Sequence, residues 1–436
     1  MKQAWIKTTL ALAIGALSSQ AMANGLAINE HSASGMGTAF AGRSSSAQDA
    51  STVAGNPAGM SKLERREVSG GLAFIHALTD IEATSAKYKA TDTADGDMVP
   101  FSTIPFGYYV TPVNDKLHFG LGLYVPFAVI SDYEKNFQGR YKGLYSEVEV
   151  VNLQPTISYK VNDQVSVGGG LVISRIYGKL TNNLTFNPGL SDADVEIEGD
   201  DIAYGYNLGV LVDINEQLSW GLTYKSQVKY SLEGDTKVSD ISALTGMSAL
   251  NGTYDATVDI TMPESIDTSV TYRVDDQWTL YGGATWTRWS RLDALVVKST
   301  GVPAPFDAKF GKLTEELKWE DTLAFAVGAS YQLNPQWVLR AGLAVDESPT
   351  NDAHRTTRIP VSDRTIVSFG AGWNINQDMT LDLAYSYLIE DEGEVNQAAT
   401  SIPTPPLGAP LTIQPAYSAK YENSAHGLAA QLTYRF

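Results

Sequence analysis

The sequence predicts an all-β protein: a fourteen-stranded antiparallel transmembrane β-barrel with an N-terminal hatch (plug) in its lumen. Three observations carry this. Apolar and polar residues alternate strictly over segments of about ten residues, the length a tilted membrane strand needs. A short Asn/Asp-rich turn recurs six times along the chain. Past Ala23 no run of ~18 apolar residues exists that could cross a bilayer as a helix, so a chain that crosses must do so as a closed barrel, with every backbone group paired.

The first element is a secretory signal over residues 1–23. Lys2 and Lys7 form a basic start, Leu10-Ala-Leu-Ala-Ile-Gly-Ala-Leu17 an apolar core, and Ala21-Met-Ala23 an A-x-A cleavage pattern. The apolar core is too short for a membrane anchor. The composition agrees with export. Of 436 residues, 43% are hydrophobic and 18% charged, with 49 acids against 31 bases and a net charge of −18. That acidity argues against nucleic acid as a partner, which wants a basic stripe. Without cysteine there is neither a disulfide framework nor a thiolate metal site. Five histidines scattered from His31 to His426 offer no histidine-rich metal site, and no cofactor is implied.

Residues 24–64 do not alternate. They are rich in Gly, Ala and Ser and run to Asn56-Pro57-Ala58. Such a segment either hangs in the periplasm or plugs the lumen. A barrel this wide would otherwise be an open hole, which favours the plug.

Residues 65–436 are the barrel. The repeated turns are Val113–Leu117, Val161–Val165, Ile214–Leu218, Val274–Trp278, Leu333–Trp337 and Ile375–Met379. Each places Asn or Asp where a side chain can bond its own backbone, and each is followed by alternation. Trp337, Leu339, Ala341, Leu343 and Val345 share one face against Val338, Arg340, Gly342, Ala344 and Asp346; the carboxyl terminus repeats this through Leu428, Ala430, Leu432, Tyr434 and Phe436. Six periplasmic turns join twelve strands, and a first and a last strand make fourteen, an even number as bacterial barrels have. The outer connections fall near 78–100, 128–146, 179–200, 233–253, 292–316, 347–360 and 391–424.

Several segments resemble the FadL family of outer-membrane transporters of long-chain fatty acids and other hydrophobic compounds. They are Gly25–Gly42 with Asn56-Pro57-Ala58 (the hatch motif), Asn136–Tyr141, Met262-Pro263-Glu264, Trp286–Ser290, and Asp346–Pro349 followed by Arg355, Ile359-Pro360 and Asp363-Arg364. The resemblance runs from Gly25 to Phe436. It implies a fourteen-stranded barrel with a hatch and uptake of hydrophobic compounds. The implied setting is the bacterial outer membrane, among lipid and lipopolysaccharide. The chain would be placed there by the barrel-assembly machinery, as a monomer.

Uptake of a fatty acid needs an apolar landing site, a greasy pocket with a cation for the carboxylate, and an exit. Ile241, Leu244 and Met247 fall at three-residue spacing, one side of a short helix; Leu184 and Phe186 lie in the neighbouring outer loop. In the family these two loops form the capture groove. Alternation aims Lys318 and Arg364 into the outer half of the lumen, where a cation would hold a carboxylate or else pair with lumen acids. The family carries a basic residue at the outer end of the fifth strand, where Arg175 and Lys179 stand, but alternation points both outward. Arg355 matches a family motif. In the third strand Pro126 cannot continue a ladder, and Gly120 and Gly122 would ease a bend. In the family this strand kinks inward and opens the wall, which implies lateral release. Pro263 interrupts the eighth strand in the same way.

Catalysis finds no support, since no nucleophile motif accompanies the histidines. Two alternatives stay open: a general porin, which would lack the 24–64 segment, and an importer of aromatic hydrocarbons, which needs no cation.

Overall fold

The computed structural model describes residues 25–187, 189–304, 306–402 and 410–436; the signal segment 1–23 lies outside them. Fourteen antiparallel staves close into a barrel. They are β1 (Glu67–Ala83), β2 (Ser102–Pro112), β3 (Leu117–Asp132), β4 (Tyr145–Lys160), β5 (Val165–Leu184) and β6 (Ala193–Asp213). β7 is Leu218–Lys225 continued by Val228–Ser239, and β8 is Gly252–Met262 continued by Ser265–Arg273. β9 is Trp278–Thr287 with Ala294–Thr300, and β10 is Lys312–Glu316 with Thr322–Asn334. β11 (Trp337–Asp346), β12 (Arg364–Asn374), β13 (Met379–Glu390 with Gly393–Gln397) and β14 (Tyr417–Arg435) complete the ring. β14 pairs back onto β1 from Glu67↔Arg435 to Ala83↔Ala419, so no edge is left at the seam.

The six short turns fall where the repeated motif puts them, and one device builds them. In the first, Val113 N donates to Leu117 O at 2.8 Å, while Asn114 Oδ1 accepts from the N–H groups of Lys116 and Leu117. Asn162, Asn215, Asp275 and Asn334 repeat this capture, and Asn376 takes Asp378 N. The local side-chain bond fixes the register of each hairpin, and a one-residue slip would turn the apolar face inward.

The pattern is inside-out. Tyr204, Leu208, Phe325, Val327, Phe369 and Leu428 are exposed on the outer face, whereas Thr156, Ser158, Thr223, Asp267, Ser269 and Gln431 are buried inside. That suits a lipid solvent. The outer connections are shorter than the sequence suggests, because several staves extend into them. β5 and β6 pair as far as Leu184↔Ala193, so most of 179–200 is hairpin.

Residues 25–63 pack against staves around most of the ring. Ala33 N donates to Gln431 Oε1 on β14 at 3.0 Å, Ser44 N to Ser269 Oγ on β8 at 3.0 Å, and Gln154 Nε2 on β4 to Val53 O at 2.7 Å. Glycines on the staves make the room: a Cβ at Gly168 would sit 2.5 Å from Pro57 C and Ala58 N, and one at Gly328 2.8 Å from Thr38 O.

Candidate functional site

A cavity of about 830 Å³ opens at the outer end of the barrel. Two loops wall it on one side. Leu184, Ile241 and Leu250 line it, and Phe186 and Met247 are buried in the same apolar cluster behind them. The helix expected over 241–247 does not form. Two separate 3₁₀ turns, Ala243–Thr245 and Ser248–Leu250, are divided by Gly246 at φ 71°. The break turns Leu244 away from the cluster, and it is 83% exposed.

The vestibule narrows into a chamber of about 100 Å³ lined by Val148, Ile176, Leu232, Val258, Leu317 and Trp319, among others. The two spaces share Leu180, Ile197, Leu295, Glu315, Thr356 and Arg358. Arg358 is therefore the cation at the neck. Its Nη1 donates to Tyr145 O, Ser146 Oγ and Thr181 O at 3.1–3.2 Å, its Nε lies 3.3 Å from Glu315 Oε2, and its Nη2 keeps one long contact, 3.5 Å to Asn182 Oδ1. Lys142 lines the vestibule with its Nζ 2.5 Å from Ala398 O. Burial pushes the Lys142 ammonium down to about 8, against the opposing pull of Glu315.

Of the two cations that alternation aims into the lumen, Arg364 lies there and Lys318 does not. Lys318 does not face the lumen: it sits in the turn that interrupts β10, at φ 47°, with its Nζ exposed and 3.0 Å from Asp293 Oδ1. Its neighbours Leu317 and Trp319 take the chamber wall instead. Arg364 is buried in the lumen, but its Nη2 lies 2.5 Å from Asp346 Oδ2, directly across the β11–β12 ladder, and it borders neither vestibule nor chamber. Arg175 and Lys179 point outward and pair with β6 acids, Arg175 with Asp200 at 3.7 Å and Lys179 with Glu196 at 2.9 Å. Arg355 reaches the vestibule wall, yet its guanidinium is committed to Val361 O, Glu394 O and Asp352. Arg358 and Lys142 both lie outside the alternating strands, in outer connections where a period of two says nothing about direction. Arg358 stands three residues after Arg355, between the motif positions Arg355 and Ile359, and that proximity was the available signal.

Below the chamber the wall is interrupted. The β2–β3 ladder runs from Pro112↔His118 to Gly107↔Leu123 and stops, although β2 continues to Ser102 and β3 to Asp132. At the same level the β3–β4 register jumps from Tyr124↔Asn152 to Phe127↔Val150, so Val125 and Pro126 together face the single residue Val151. This is a β-bulge at the proline. The freed edge of β3 is taken by the amino-terminal strip: Ile28 N donates to Pro126 O at 2.9 Å and Ala128 N to Leu26 O at 2.7 Å. Gly120 and Gly122 do not shape the bend. They lie in the regular ladder beneath it, where Met60 and Val53 pack against them; a Cβ at Gly122 would lie 3.1 Å from Val53 Cγ1. β8 breaks at Pro263-Glu264, where Glu264 holds Arg291 at 2.7 Å and Arg288 at 3.2 Å.

Asn56, Pro57 and Ala58 seat the inner segment. Asn56 is fully buried; its Nδ2 donates to Ser44 O at 2.6 Å and to Val210 O at 2.9 Å, and its Oδ1 accepts from Ala58 N at 3.0 Å. The motif Asn136–Tyr141 ties outer loops together: Arg140 is buried between Asp92 at 2.8 Å and Asp192 at 3.1 Å.

Comparison with known proteins places this architecture. The sequence is 28% identical over 420 residues to the long-chain fatty acid transport protein of Salmonella typhi, covering 91% of this chain and 94% of that one. A crystal structure of a Pseudomonas aeruginosa FadL homologue superposes with a TM-score of 0.80 at 24% identity, over 94% of this chain and 100% of that one. The Pseudomonas putida toluene transporter TodX superposes at 0.66 with 16% identity, over 95% and 100% of the two chains. Residues 14–436 match the family described as outer membrane protein transport protein (OMPP1/FadL/TodX). The chain belongs to that family, and it is a multi-pass β-barrel of the bacterial outer membrane.

Proposed function

We propose that the protein takes up long-chain fatty acids, capturing them at the outer vestibule and holding the carboxylate at the neck. The observation that carries this is Arg358 at the mouth of an apolar chamber. A hydrocarbon chain gains by leaving water for the chamber, and a carboxylate left beside it would be costly to bury without a charged partner. The Arg358 Nη2, engaged only at 3.5 Å, and its Nε, which lies near Glu315 without a hydrogen bond, are donors with capacity left, and Lys142 stands in the same vestibule. Residues 24–64 act as the plug that keeps small solutes out. To leave, the ligand displaces the strip Leu26–Ile28 and passes sideways through the gap between β2 and β3. Two backbone hydrogen bonds hold that strip to the β3 edge, at about 0.5–1.5 kcal/mol net each, and the burial of Leu26 and Ile28 adds to what must be displaced.

The uptake of aromatic hydrocarbons is the second reading. It is favoured by the size of the chamber, about 100 Å³, and by its mostly apolar wall. Replacing Arg358 by Met separates the two. A fatty-acid transporter loses affinity for the acid and keeps it for the methyl ester; a hydrocarbon channel keeps both and binds toluene unchanged.

A further inference from the structure

Beyond the strip lies a separate cavity of about 130 Å³, which shares no lining residue with the chamber above it. Leu26 borders the chamber, whereas Ala27 and Ile28 border this inner space. Pro126 and Phe127 of the bulge form part of its wall, so it abuts β3 where the β2–β3 ladder has ended.

Its polar lining is unusual for a barrel in which lumen charges are paired. Asn207 and Lys225 are direct partners across the β6–β7 ladder, both on the lumen face, at the last rung before that ladder opens. Side chains so placed lie about 5 Å apart at Cβ. Asn207 is 1% exposed, yet among the described residues neither its Nδ2 nor its Oδ1 has a hydrogen-bond partner. Lys225 has no ion pair among the described residues, in contrast to Arg340 and Arg364, which hold Asp382 and Asp346 at 2.7 and 2.5 Å. Arg43 comes from the inner segment; its Nη2 donates to Asn29 Oδ1 at 2.7 Å, while its Nε is buried and unpartnered. The acid on the wall, Asp346, is already engaged by Arg364. The pocket thus presents two cations and an unsatisfied amide against one neutralised acid. The remaining wall mixes apolar side chains, Ile28, Phe127, Val172 and Val228, with neutral polar ones that include His31 and Asn152.

Unpartnered buried donors of this kind are costly unless a ligand satisfies them. From this geometry we infer a second carboxylate site, built by Lys225, Asn207 and Arg43, that receives the head group of the acyl chain after it passes the strip and before it leaves sideways. The inference deepens the fatty-acid reading and rests on it. The site gives the carboxylate a charged partner on the inner side of the strip, so it is not left unpaired between the neck and the exit.

The test uses the full mature chain in liposomes and measures two quantities: equilibrium affinity of dodecanoate at the outer site, and the rate of its transfer to the membrane. Each is measured for the acid and for its methyl ester. Lys225→Met should leave outer affinity within about twofold and slow transfer of the acid at least about tenfold, the worth of one charge-assisted hydrogen bond. The ester should move at the wild-type rate, and Lys225→Arg should restore the acid. Asn207→Leu, which removes the donor but keeps the volume, should slow the acid in the same selective way. Unchanged acid transfer in a folded Lys225→Met barrel overturns the site, as does equal slowing of acid and ester, which would mean a packing role. If wild-type protein carries the ester but not the acid, the fatty-acid reading itself has failed, and the two failures are told apart.

Discussion

Removing the side chain of Asn56 should unseat the inner segment while leaving the barrel closed. Asn56 makes three hydrogen bonds, to Ser44 O, Val210 O and Ala58 N, from a fully buried position. The bond to Val210 O joins the segment to the barrel and the other two hold the segment's own fold; each is worth about 0.5–1.5 kcal/mol net, so Asn56→Ala costs the folded, seated segment about 2–4 kcal/mol. At 1.4 kcal/mol per tenfold, the unseated fraction rises roughly 30- to 700-fold. Gly209→Ala reaches the same end from the opposite wall, because its Cβ would collide with Asn56 Oδ1. The ring of staves does not depend on either residue, and the β1–β14 seam is untouched. The assay is permeability of liposomes to small sugars, with retained heat-modifiable gel mobility as the control for an intact barrel. Both variants should leak where wild type does not. Wild-type tightness in both, with the barrel intact, would refute the idea that residues 24–64 close the lumen through this anchor.

Three further outcomes follow from the same geometry. Deleting Pro126 removes the extra residue at the bulge and lets β3 pair regularly with β4 and β2; ligand release into the bilayer should then fall sharply while binding at the vestibule stays, and unaltered release would exclude the side gap as the exit. The Lys142 ammonium, held down at about 8 by burial, loses its charge as pH rises through that value. Fatty-acid affinity should therefore decline several-fold between about pH 7 and 9.5, the ester should show no such decline, and Lys142→Met should flatten the acid's profile. Because the ammonium's ordinary value lies above its value here, the charged form is disfavoured by folding below pH 8, and Lys142→Met should be stabilising at pH 7, as a melting curve would show. Lys318→Met, which breaks only an exposed pair with Asp293, should leave acid binding within about twofold.

The staves and turns were legible because two local rules govern them. A period of two sorts lipid-facing from lumen-facing side chains, and an Asx side chain closes each periplasmic turn without tertiary help. The turn rule holds at all six turns from Val113 to Met379, and the period of two in the regular staves beside them. The site was less legible because it is built where those rules lapse. Alternation placed Lys318 in the lumen, but β10 is interrupted at residues 317–321 and the positive φ of Lys318 reverses its direction. It placed Arg364 correctly, but a period of two cannot say which lumen cations already hold a carboxylate; Asp346 across the ladder decides that. Arg358 and Lys142, in outer connections, carried no periodic signal. Spacing suggested a helix over 241–247 and could not foresee that Gly246 would take a left-handed turn there. Pro126 was readable as a break, since proline lacks the N–H a ladder needs. The role of Gly120 and Gly122 was not, because it lies in contacts with Val53 and Met60, more than fifty residues away in sequence.

The most direct test is the affinity of Arg358→Met for a long-chain fatty acid against its methyl ester, measured on the refolded or membrane-extracted barrel by calorimetry. A charge-assisted hydrogen bond is worth about 1.5–3 kcal/mol, so the acid should bind roughly ten- to a hundredfold more weakly than to wild type, while the ester, without a charge to hold, should bind as before. Equal affinities of wild type and Arg358→Met for the acid would contradict a carboxylate held at the neck, and with it the assignment of the vestibule and chamber as a fatty-acid site.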